Sequence, residues 1–197
     1  MKTPSHWVGF ACRWKVGSAG SMGPAVAVLD AGGRMVWHGI APLVEVRHFL
    51  RLDASWITRM LGGATVVAGN GEWWPAVATE RIHRAPRDEQ SPYQLGRIQG
   101  TLEGLVSALD LTWVEIDREN YVGPALGRQA RTAGANEPRL LLEAGAERWP
   151  ELAETIRPYA TQSFPWPAKG QAKASAIARA AWIADRARVA AERKESA

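Results

Sequence analysis

The chain has 197 residues, 46% hydrophobic and 22% charged, which excludes a disordered or collagen-like polymer and fits one globular domain with a sizeable core. Its 24 lysines and arginines against 20 acids leave a net charge of +4, an excess that permits an acidic partner such as nucleic acid without demanding one. Cys12 is the only cysteine, so an intrachain disulfide and a thiolate zinc site are excluded and a reducing, cytoplasmic setting is expected. Met1 to Trp14 is interrupted by His6 and Arg13 and falls short of the roughly 20 apolar residues of a membrane span.

Three strand-like runs come first: His6 to Trp14, Pro24 to Asp30 and Arg34 to Ile40. Asp30-Ala31-Gly32-Gly33 is a hairpin turn, because glycine accepts the positive φ of a tight reversal. From Leu43 to Leu61 apolar residues recur at helical spacing (Val46, Phe49, Leu50, Ile57, Leu61), and Gly62-Gly63 stops that helix. Thr65-Val66-Val67-Ala68 reads as a short apolar strand buried in a parallel sheet. Gly69 to Gln90 is a long polar stretch with little periodicity, the kind of loop that is usually functional.

Ser91 is an N-cap candidate with Pro92 at the first helical position, and the helix runs to about Leu109. Within it Gly96, Gly100 and Gly104 fall at i, i+4 and i+8, one stripe on one face. Such a stripe admits close packing on the sheet or a close contact between two copies of the helix. Thr112 to Ile116 is a further strand. Beyond Asp117 the pattern is helical, with boundaries at Pro138 and Pro158, and Gln171 to Ala191 is a helix rich in alanine and arginine. The organisation expected is a core over residues 1–160, a proline-rich linker over 161–170, and a C-terminal helix over 171–197 that packs back and ends in a frayed basic tail.

The chemistry-bearing patterns are sparse. His6, His38, His48 and His83 show no i, i+4 pair and no acidic neighbour at ligand spacing, so a zinc site is not expected. Neither Gly17-Ser18-Ala19-Gly20 nor Gly69-Asn70-Gly71 has the lysine and helix start of a phosphate-binding loop. The run around Arg81, His83, Arg84 and Arg87, preceded by Trp73 and Trp74, pairs cations suited to phosphate with an aromatic surface on which an unpaired base stacks. The same run also fits a solvated basic loop with the tryptophans packed beneath it.

The order of elements, the segment Ser91-Pro92-Tyr93-Gln94-Leu95-Gly96-Arg97-Ile98-Gln99-Gly100, the strand Thr112-Trp113-Val114-Glu115-Ile116 and the alanine-rich last helix together resemble the RuvC-like Holliday-junction resolvases of the ribonuclease H-like superfamily, in their compact phage-type form. The resemblance implies an α/β fold: a five-stranded mixed sheet, an antiparallel meander plus two parallel strands, with helices on both faces. It also implies a homodimeric nuclease for branched DNA, whose carboxylates on the first strand, at the end of the fourth strand and at the start of the last helix hold two Mg²⁺. Dimer contacts would then fall on Gly96, Gly100 and Gly104.

This sequence departs from that pattern at each place. Ala11 or Cys12 stands on the first strand, Gly69 follows the apolar run taken as the fourth strand, and Ser175, within Lys173-Ala174-Ser175-Ala176-Ile177, stands on the last helix. Glu72 is the fallback acid, and Lys173 adds a positive charge suited to phosphate. The expectation is therefore a catalytically inactive, metal-free RuvC-like protein, with no catalytic residues and no cofactor, that binds DNA, branched DNA included, or a protein partner. One alternative is an active Mg²⁺-dependent resolvase with a displaced acid set. Another is a phage interaction module that inhibits or redirects a host protein.

Overall fold

The computed structural model describes residues 3–12, 23–46, 49–63, 73–81, 92–156 and 169–195. In chain order the strands are β1 (His6–Ala11), β2 (Ala25–Asp30), β3 (Met35–Ile40), β4 (Leu43–Val46), β5 (Phe49–Leu52), β6 (Pro75–Glu80) and β7 (Thr112–Ile116). The helices are α1 (Ala54–Leu61), α2 (Pro92–Ala108), α3 (Arg118–Leu126), α4 (Glu137–Arg148), α5 (Pro150–Ile156) and α6 (Lys169–Glu195). Two short 3₁₀ turns, Gly127–Arg131 and Gly134–Asn136, join α3 to α4.

The main sheet has the order β3-β2-β1-β6-β7. β1, β2 and β3 are antiparallel neighbours, and β6 and β7 run parallel to β1. The β2–β3 turn forms as its residues dictate: Gly33 takes φ +80, its N–H donates to Asp30 O at 2.9 Å, and the Asp30 carboxylate accepts from Arg34 N at 2.9 Å. On the edge strand β3 the register shifts between Val28 and Leu29. Met35 consequently belongs to one core cluster and Trp37 packs against the other, while Val36, the extra residue of the bulge, is 46% exposed. Bulges of this kind re-aim side chains and blunt a free sheet edge.

The two faces of the sheet bury separate cores. On one face α1 and α2 cover Val8, Phe10, Val26, Val28 and Val77; on the other, α3, α4, α5 and α6 cover Trp7, Ala11, Ala27, Leu29, Ala76 and Ala78. Helix α6 lies on β1 so closely that a Cβ added at Gly9 would stand 2.0 Å from Ala180 O and 2.9 Å from Ala184 N. Its buried alanines, including Ala176, Ala180, Ala181 and Ala184, make that approach possible, since longer side chains hold a helix farther from a sheet. Cys12 is buried and free, and burial pushes its thiol up to about 12, so it is a packed, protonated side chain at neutral pH.

Two expected elements differ. The helix expected over Leu43 to Leu61 is a β-hairpin followed by a short helix: Leu43 pairs with Leu52 and Val44 with Arg51. Asp53 then starts α1, its carboxylate accepting from Trp56 N at 3.0 Å. Leucine, valine and phenylalanine at these positions satisfy both periods, and the cap residue Asp53 decides where the helix begins. The second difference is the parallel partner of β1, which is β6, Pro75–Glu80, inside the stretch expected to be loop. Thr65 to Ala68 lies outside the described residues. Proline opening a strand and alanines within it carry little strand propensity, yet every residue of β6 is buried, so packing on both faces defines it.

The glycine stripe of α2 faces away from the sheet. Leu95, Ile98, Leu102 and Val106 are the buried side of that helix, whereas Gly96, Gly100 and Gly104 are exposed with nothing within 4 Å of an added Cβ. Close packing of the glycines on the sheet is thus corrected: burial of the large apolar stripe outweighs any gain from a close backbone approach.

Candidate functional site

The site implied by the resemblance lies where the C-terminal ends of β1 and β6 meet α6. Phe10 is in register with Thr79, which sets Ala11 level with Glu80. Gly9 faces α6, and strand alternation turns Ala11 to the same face; Ala78 shares its core cluster, and Glu80, two residues on, follows it. The position expected to hold Gly69 is corrected here, because the strand beside β1 ends in a carboxylate, Glu80, while Gly69 and the fallback acid Glu72 lie outside the described residues.

Glu80 is 4% exposed and accepts a hydrogen bond from the Tyr121 hydroxyl at 2.8 Å. Tyr121, itself fully buried, has its ionisation pushed well up by burial and by Glu80, against the opposing charges of Arg179 and Arg118. Those guanidiniums converge on Glu137, 3% exposed. Arg118 grips both oxygens of that carboxylate, and Arg179 Nη2 lies 3.6 Å from its Oε1. The cluster draws one or two residues from each of β6, α3, α4 and α6. Sequence reasoning missed all of it, because Glu80 and Tyr121 are 41 positions apart and no local spacing joins them.

Hard divalent cations require several anionic oxygens converging on one point. Here β1 offers the methyl of Ala11 and α6 offers the neutral Ser175, which is buried. The cluster's carboxylates are Glu80 and Glu137, and Glu137 is already engaged by the guanidiniums of Arg118 and Arg179. The described residues therefore do not fit a two-magnesium centre, and among them no group of three or more His, Cys, Asp or Glu is placed to hold a metal ion.

Of the residues expected to meet DNA, Trp73, Trp74, Arg81 and Lys173 are described. Trp73 and Trp74 precede β6 and Arg81 follows it, so a six-residue strand, about 20 Å long, separates them. Trp73 donates its indole N–H to Leu61 O and lies against His6 with ring centroids 4.5 Å apart; the Trp74 backbone N–H donates to the Ser5 hydroxyl oxygen at 2.7 Å. Both are half-buried packing residues, set apart from Arg81 by the length of β6. Arg81 is exposed and is engaged by Glu115 at 3.2 Å and Asp117 at 3.4 Å. His83, Arg84 and Arg87 lie outside the described residues.

Lys173 is exposed on α6. It lies on the β3 side: burial, then the charge of Lys173, hold His38 below its ordinary pKa, opposed by Glu151. An open groove of about 670 Å³ there is lined by His38, Pro150, Glu151 and Glu154. No described helix is long and apolar enough to cross a membrane.

No protein-family model and no curated protein matches the sequence. Solved structures do: Thermus thermophilus RuvC superposes with a TM-score of 0.51 at 14% identity over 95% of this chain and 96% of that one. T. thermophilus RuvC in complex with a Holliday junction substrate gives 0.47 at 13% identity, over 95% of each chain. The fold is RuvC-like, a ribonuclease H-like α/β sheet covered on both faces.

Proposed function

We propose that this chain holds DNA, branched DNA by preference, on a nuclease-type fold and does not hydrolyse it. The observation that carries the reading is the strand-end site: the Phe10–Thr79 register sets Ala11, not an acid, level with Glu80, and the charges that oppose Glu80 at the Tyr121 hydroxyl are those of Arg118 and Arg179, which also engage Glu137. A fold without converging acids has nothing to position a metal-bound water against a phosphodiester. DNA is supported by the net charge of +4 and by Arg81, Arg84 and Arg87 in the segment that leaves β6 at this same end, and by the branched-DNA substrate that the RuvC resemblance implies. Lys173 contributes a further cation near the start of α6.

Replacing Arg81, Arg84 and Arg87 with alanine is expected to weaken junction binding and to lower the log–log salt slope in a gel-shift titration by about one unit for each phosphate no longer neutralised. Arg81, already engaged by Glu115 and Asp117, accounts for the smallest share. An unchanged slope would transfer the role of this fold to a protein partner.

A second reading, an active Mg²⁺-dependent resolvase with displaced acids, is favoured by one observation: β6 ends in a glutamate, so the acid set is not wholly missing, and Glu72 would be a second member.

The same proposal includes a homodimer formed through Gly96, Gly100 and Gly104, which α2 leaves uncovered. Gly100→Ala separates the cases. In an isolated chain it stabilises the exposed helix by about 0.5–1 kcal/mol, whereas in a dimer joined there it weakens assembly, read by light scattering across a dilution series. A monomeric mass for the unmodified protein at working concentration contradicts the dimer.

A further inference from the structure

The groups around Glu80 carry an inference that stands apart from DNA binding, and a fall in junction affinity in the arginine variants would leave it untouched. Glu80 and Glu137 are both almost fully buried, and a buried carboxylate stays ionised only with compensating donors or cations close by. Among the donors are the Tyr121 hydroxyl on Glu80, the Arg118 fork on Glu137, and Arg179, which lies 3.6 Å from Glu137 and whose charge also reaches the Tyr121 hydroxyl. Two acids and two guanidiniums sum to zero. A guanidinium keeps its charge in a protein, so the two arginines stand as permanent cations in the cluster, and a divalent ion meets less net attraction there than at a cluster of acids alone.

We infer that Arg179, with Arg118, is the built-in countercharge of the strand-end cluster, filling with guanidinium the electrostatic role a divalent cation would otherwise take there, so that Glu80, tied to α3 through Tyr121, and Glu137, tied to α3 and α6 through the arginines, are structural carboxylates. Four elements meet in this one cluster: β6 through Glu80, α3 through Arg118 and Tyr121, α4 through Glu137, and α6 through Arg179.

Thermal unfolding of the full chain tests it, recorded in EDTA and in millimolar Mn²⁺ for the unmodified protein, Arg179→Met, Glu80→Gln and the double variant. The melting temperature of the unmodified protein is expected to be the same with and without Mn²⁺. Arg179→Met is expected to lower it by about 6 °C, as removal of one partner from a buried charge pair does in a chain of this size. The double variant, with both charges removed, regains part of that loss. Should Arg179→Met alone fail to fold, the double variant still folds. The inference is overturned if Mn²⁺ raises the melting temperature of the unmodified protein and Glu80→Gln abolishes the rise, since Glu80 then holds a cation. It is equally overturned if the single and double variants fall by the same amount, which would make Arg179 a packing residue only.

Discussion

Gly9→Ala is expected to be among the most damaging single-methyl additions in this chain. The new Cβ would stand 2.0 Å from the carbonyl oxygen of Ala180 and 2.9 Å from the amide nitrogen of Ala184, both backbone atoms of a long helix that cannot rotate aside. Relief requires α6 to lift from β1 and β2, uncovering alanines that are now buried. Overpacking that forces backbone displacement costs typically 1–3 kcal/mol and occasionally more, and about 3 kcal/mol is expected here, measured as a lowered urea midpoint with an unchanged slope. A midpoint within experimental error of the unmodified protein would mean that α6 does not lie on Gly9.

Glu137→Ala is the second. The substitution removes the carboxylate 3.6 Å from Arg179, whose side chain is 17% exposed, and releases Arg118, which is half-exposed and turns to water. Removing one member of a buried ion pair costs about 3–5 kcal/mol because the surviving charge is left uncompensated. Since one of the two arginines escapes to solvent, about 3 kcal/mol is expected, read by urea denaturation. Glu137→Gln, which keeps the shape and one acceptor oxygen, is expected to cost less than the alanine, and equal losses would show that the charge is not what matters.

Much of the sheet is legible because its strands announce themselves locally. The Asp30-Ala31-Gly32-Gly33 turn needs glycine at positive φ and has it at Gly33; β7 begins and ends with the run Thr112 to Ile116; and α2 starts at Pro92 as its first-turn proline indicates. β6 is illegible for the opposite reason. Alanine at 76 and 78 is chosen by the helix pressing on it rather than by strand propensity, and that helix lies about a hundred residues away in sequence. The same long-range dependence hides the Glu80 cluster, and it displaces the expected fourth-strand position to Gly69 when the strand ends at Glu80. The glycines of α2 have a visible spacing, but spacing fixes which residues share a face, not whether that face meets the core. The tryptophans are legible as packing residues from their bulk, and their distance from Arg81 emerges only once β6 is recognised as a strand between them.

The most direct test of the central claim is incubation of the purified chain with a labelled four-way DNA junction in millimolar Mg²⁺ or Mn²⁺, with binding and cleavage scored on parallel native and denaturing gels. A salt-sensitive complex with an intact junction is the result that the proposal of DNA binding without hydrolysis predicts. Metal-dependent strand cleavage that disappears in Glu80→Gln or Glu72→Gln would contradict it.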